Sequence, residues 1–206
     1  MSQSPLAFVA LNGKAGKGVS PGAVGQQGEL FVGQRHGANY EAAYAATIGL
    51  VANSAAVTTS AALATTYVGL CLSNPVASGK NLVLLNVSGA FLVAPATITT
   101  AFLAVGYSAA GITAHTTPLT PLNGLLGTTT TPALVGLADS ACTLVGTPAY
   151  AKVLAQTPTA TTSFSFSYDA NGALVIPPGG WAAIATNIAS PASGFVGSML
   201  WEEVAQ

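Results

Sequence analysis

Residues 161–204 read TTSFSFSYDANGALVIPPGGWAAIATNIASPASGFVGSMLWEEV, and this stretch decides the fold. Residues 162–168 alternate strictly. Phe164, Phe166 and Tyr168 fall on one face and Ser163, Ser165 and Ser167 on the other, which is the period of a half-buried strand. Asp169-Ala170-Asn171-Gly172 carries turn chemistry, because Asn and Gly accept the positive φ that a hairpin needs. It predicts a chain reversal into a returning strand at 173–176. Pro177-Pro178-Gly179-Gly180 stops that strand, since proline has no N–H for the ladder. Residues 181–187 are a third strand, and the proline-containing 189–194 a loop. Residues 195–204 close the chain, with Phe195, Met199 and Trp201 on one face and Val196, Leu200 and Val204 on the other. A strand apolar on both faces is central or covered by a partner. Glu202 and Glu203 then mark where the chain meets water, or Arg35 or a lysine. The expectation is four strands joined by three tight turns, for which the earlier chain supplies partners.

Composition narrows the setting. A chain of 206 residues can bury roughly 70% of its unfolded surface, so it needs no metal or disulfide to hold a core. Charged residues make up 5%, against about 25% in ordinary domains. So few charges protect a free monomer poorly against association, which points to a surface covered by other subunits. The net charge of -1 leaves no electrostatic footprint for nucleic acid or an anionic membrane. The run from Lys80 to Asp139 contains no charge, but Asn, Ser, Thr and Pro interrupt it. It therefore offers no block of ~20 apolar residues of the kind a spanning helix requires. The N-terminus lacks the basic start and apolar core of a signal peptide. Cys71 and Cys142 read as buried small hydrophobes, with a disulfide as the alternative.

Residues 1–28, rich in Gly, Ser, Pro and Gln, read as an extended arm that cannot build a core. Gly13-Lys14-Ala15-Gly16-Lys17-Gly18 and Ser78-Gly79-Lys80 both miss the spacing of a phosphate loop. Residues 29–34 predict a first strand. Arg35, His36 and Glu41 form the densest polar cluster, read as an ion pair with a hydrogen-bonded His at a strand end or subunit contact. No nucleophile motif accompanies them. Tyr40, Tyr44 and Ile48 share a helical spacing, while Val51 and residues 57–59 favour strand, so this region is expected to be β with a helical turn at most. Strands follow at 67–73, 82–87, 91–93 and 102–107. Residues 108–132, with three prolines and Thr128 to Thr131, read as a long irregular contact loop, with His115 incidental within it. Residues 143–156 lead into the C-terminal strands. Asn86-Val87-Ser88 matches a glycosylation sequon without other signs of secretion. No catalytic, metal or cofactor motif is present, so neither an enzyme nor a cofactor is expected.

Leu72-Ser73-Asn74-Pro75, followed by Ser78-Gly79-Lys80-Asn81-Leu82, resembles a pattern in small structural proteins of tailed bacteriophages. Residues 28–33, Ile176-Pro177-Pro178-Gly179 and Trp201-Glu202-Glu203-Val204 are similar to the same group. The resemblance implies a trimeric jelly-roll capsid decoration (cement) protein on the capsid exterior, bridging major capsid proteins. The arm and the Pro/Thr loop would be its contact elements. The expected architecture is thus an all-β, jelly-roll-like β-sandwich over 29–206 with an N-terminal arm over 1–28. The alternative is a tail-fibre or receptor-binding jelly roll recognising host glycans, for which Trp181, Trp201 and the tyrosines are the aromatics on offer. A hydrolase built on Arg35, His36 and Glu41 is a third class.

Overall fold

A computed structural model describes residues 47–52, 65–127, 134–157, 163–188 and 194–206. The chain divides into two units, Met1–Glu41 and Ala42–Gln206, and the description that follows is of the second. The expected arm, the strand at 29–34, the Arg35/His36/Glu41 cluster and the threonines at 128–131 lie outside the described residues.

Eleven strands are described: β1 (Ile48–Ala52), β2 (Thr66–Ser73), β3 (Lys80–Phe91), β4 (Thr100–Tyr107), β5 (His115–Leu119), β6 (Leu122–Asn123), β7 (Leu137–Thr143), β8 (Ala149–Gln156), β9 (Ser165–Ile176), β10 (Gly180–Thr186) and β11 (Phe195–Ala205). They form a five-stranded sheet, β6-β1-β11-β3-β9, and a six-stranded sheet, β5-β7-β2-β10-β4-β8, with every pairing antiparallel. Eight strands, β1-β11-β3-β9 facing β2-β10-β4-β8, have the two-Greek-key order of a jelly roll. The other three belong to an insertion between β4 and β8. Its β7 and β5 extend the six-stranded sheet beyond β2, and its β6 extends the five-stranded sheet beyond β1. One connection thus covers the same open side of both sheets. The stretch expected to be an irregular loop over 108–132 contains two strands of this insertion.

The C-terminal stretch holds three strands in place of the four expected. Asp169 to Gly172 does not reverse the chain. Along β3 the step from Leu84 to Asn86 is matched on β9 by the step from Leu174 to Asp169, so the Asn-Gly pair lies in a bulge inside one continuous strand. Asn171 (φ 49) and Gly172 (φ 78) do take the positive φ read from the sequence, but the excursion returns to its original direction. The Pro-Pro-Gly turn then carries the chain from β9 in one sheet to β10 in the other. The next connection brings it back to β11.

The core lies between the sheets. Leu70, Leu72, Leu103 and Ile184 from the six-stranded sheet meet Leu84, Val87, Phe195, Met199 and Trp201 from the five-stranded one. Leu85 is the extra residue of a β3 bulge against β11. That offset lets Leu82 and Leu84 before it, and Val87 and Phe91 after it, all face inward, which strict alternation would forbid. β10 is buried on both faces along its whole length, whereas β11 is buried on one face and half-buried on the other. The second face of β10 belongs to another cluster of Tyr67, Cys71, Cys142, Leu144 and Trp181 on the far side of the six-stranded sheet. Both cysteines are free and buried.

Candidate functional site

Trp201 and Trp181 are 0% and 1% exposed. Each stands across from a glycine on the neighbouring strand: Gly49 opposite Trp201 and Gly106 opposite Trp181. A Cβ on either glycine would collide with the indole, so each glycine's missing side chain is the space the ring occupies. Trp181 Nε1 donates to Val145 O at 2.9 Å, which gives its one polar atom a partner, as a buried indole requires. Neither ring is presented for stacking against a ligand.

Glu203 does not emerge into water. It is buried because β11 alternates and places it on the same face as Met199 and Trp201. Its Oε1 accepts from Val135 N at 2.7 Å and Gly136 N at 2.9 Å. Trp201 Nε1 stands 3.5 Å from the same oxygen, and Oε2 pairs with Lys80 Nζ at 3.0 Å. The carboxylate therefore ties the insertion, the start of β3 and the end of β11 together. A neighbouring junction is made by Asn74, also buried, whose Nδ2 donates to Lys80 O at 2.8 Å and Ile176 O at 2.9 Å. Nothing local in the sequence announces either role, since the partners are distant in the chain.

A cleft of about 370 Å³ opens where β4 and β8 meet the β9–β10 turn, lined by Tyr107, Thr147, Ala149, Val175, Pro177 and Trp181 among others. Tyr107 is 58% exposed and is the aromatic ring the cleft offers. A third cluster lies on the far face of the six-stranded sheet. His115, predicted to be incidental, bonds Asp139 through Nδ1 at 2.7 Å, and Cys71 is the cross-strand neighbour of Asp139. The Cys142 thiol, then burial, push the Cys71 thiol up, and burial pushes the Tyr67 phenol up. These groups stay protonated and packed at neutral pH. Among the described residues no three His, Cys, Asp or Glu side chains are arranged to hold a metal ion.

The remaining surface carries few charges: Lys152 and Asp169 are exposed, and Lys80 and Glu202 half-buried. Residues 42–206 contain six charged side chains. Asp139 and Glu203 are buried, Lys80 is committed to Glu203, and Lys152 lies over the Tyr168 ring at 4.6 Å. Leu92, Val93, Ile98, Leu126 and Val153 are exposed instead. The class these observations define is a jelly-roll β-sandwich with a three-strand insertion and an apolar, weakly charged exterior. Comparison with known proteins finds no family model, no curated protein and no solved structure that matches the chain.

Proposed function

We propose that this chain is a structural virion protein, a capsid decoration subunit that bridges and reinforces major capsid proteins from the capsid exterior. The observation that carries the reading is the surface: a well-packed sandwich whose exterior has few charges and several exposed large apolar side chains. Exposed apolar patches on a folded domain mark contact surfaces, and a weakly charged exterior suits a molecule that spends its life covered. The jelly-roll order of the eight strands fits this reading, because jelly rolls serve repeatedly in viral shells, and the fold alone does not choose among its many functions. The side chains tied together most tightly, Glu203 with Lys80 and the two Trp–Gly pairs, hold the sandwich rigid, as a subunit under mechanical load requires.

The test is an image reconstruction of the particle that contains this chain. The expected result is density for the sandwich on the outer shell, between neighbouring capsid subunits. Density at the tip of a tail appendage would instead favour the receptor-binding alternative. Both tryptophans are buried, and among the described residues that function has the Tyr107 cleft and the exposed Tyr150 to use.

A further inference from the structure

The contact between His115 and Asp139 serves none of the roles described so far. Asp139 is 0% exposed on β7, and His115 reaches it from β5, the outermost strand of its sheet. Nε2 of the ring is 3.1 Å from Ile112 O. A carbonyl and a carboxylate both only accept, so the ring satisfies its two neighbours at once only when both nitrogens carry a hydrogen or the carboxyl supplies one. Nδ1 and Asp139 Oδ2 are 2.7 Å apart, the length of a charge-assisted hydrogen bond. One proton lies between them, on the ring if the carboxyl is ionised and on the carboxyl if it is neutral. Without that proton the ring keeps one hydrogen for two acceptors, so either the Ile112 carbonyl or the Asp139 carboxylate loses its donor. Its other oxygen, Oδ1, is already buried with no hydrogen-bond partner, and an uncompensated buried charge is costly.

The strand this contact holds is weak. All of β5 is exposed or half-buried, it includes Pro118, which has no N–H to donate, and its pairing with β7 shifts register twice. We propose that His115 and Asp139 form a proton-held clasp on β5, closed while the pair carries its shared proton. Rising pH removes the proton and breaks one of the ring's two contacts, loosening β5 and the Ile112 turn. The other titratable groups nearby are Cys71 and Tyr67 from β2 and Cys142 from β7. Burial raises the Asp139 carboxyl above its ordinary value of 3.8, outweighing the lowering by His115. A folded-state value above the unfolded one means that the folded chain binds the proton more tightly. The stability this contributes is full below the unfolded value and is lost as pH rises through the folded one, the same direction as the clasp.

Hydrogen exchange on the full-length chain tests this, followed by NMR alongside the His115 ring signals. Thr143 N donates to Ala114 O at 3.1 Å just beside the clasp, so its amide is the reporter. Expected is a loss of Thr143 protection as pH rises. The fall should track the ring titration, while protection of the β10 amides stays level. In the double variant His115→Gln/Asp139→Asn, which leaves no titrating side chain at the contact, the pH dependence should vanish. Thr143 protection that stays constant while the wild-type ring signals change with pH overturns the proposal. So does an unchanged pH dependence in the double variant.

Discussion

Two tryptophans in a chain with few large side chains carry much of its packing, and each depends on a single absent methyl group across the strand pair. Trp201 fills the space beside Gly49 and touches the Glu203 carboxylate at the centre of the core. Trp201→Ala should cost about 3–5 kcal/mol, the usual loss for truncating a buried large aromatic. Thermal or urea melts of the variant measure it. An unchanged melting temperature would mean that the ring is not the core element its burial indicates. Glu203 illustrates how burial and charge are reconciled in so apolar a molecule. Two backbone N–H groups and Lys80 meet its two oxygens, so the carboxylate exchanges water for partners of comparable strength. The sequence offers a lysine as one partner for this end but not which one, because Lys80 and Glu203 are brought together only by the β3–β11 pairing. A pair of consecutive glutamates at the chain end reads locally as a solvated terminus. His115 was equally illegible: a single histidine among prolines and threonines says nothing of an aspartate on the next strand.

At the scale of elements, the alternation of Phe164, Phe166 and Tyr168 correctly announced a half-buried strand, because side-chain period is a local property of the pleat. Sheet membership was not legible. A Pro-Pro-Gly turn looks the same in sequence whether it joins two hairpin strands or passes the chain from one sheet to the other, and here it does the second. Asn171-Gly172 likewise specifies positive φ without specifying a reversal. What decides between hairpin and bulge is β3, which runs straight along both halves of β9 and offers partners to each. Backbone NOEs should therefore join Val87 to Tyr168 and Val83 to Val175. The conformational demand is testable as well. A Cβ at Gly172 would make only an ordinary 3.4 Å contact with Val83, while φ 78 disfavours any side chain. Gly172→Val should then cost about 1–2 kcal/mol from backbone strain alone, whereas Ala173→Val, exposed and outside that conformation, should be near neutral. Equal stability of the two variants by denaturant titration would remove the bulge from its place in β9.

For the whole molecule, the unit formed by residues 42–206 guards its sheet edges by different devices. Pro118 and register shifts blunt β5, and β6 is only two residues long. β8 carries two register shifts and Lys152, and β9 its bulge and Asp169. Such features oppose strand-to-strand addition, so association between closed molecules has to use side-chain surfaces and connections. The β3–β4 connection, with Leu92, Val93 and Ile98 exposed, is one such surface, and no charged residue stands between Lys80 and Asp139 to keep it apart from another copy. A homotrimer is the expected state of the purified chain, following from the proposed role and from the shortage of charge on a free monomer's surface. Light scattering at micromolar concentration should give three times the chain mass of 20.3 kDa. Added salt should not dissociate it, because apolar contacts are not screened as ion pairs are. Replacing Leu92 and Ile98 together with lysine should shift the mass towards the monomer while leaving the melting of the sandwich largely intact, since both side chains are already solvent-facing. A stable, soluble monomer of the unmodified chain at that concentration would separate the low charge from assembly and remove the main support for a structural role.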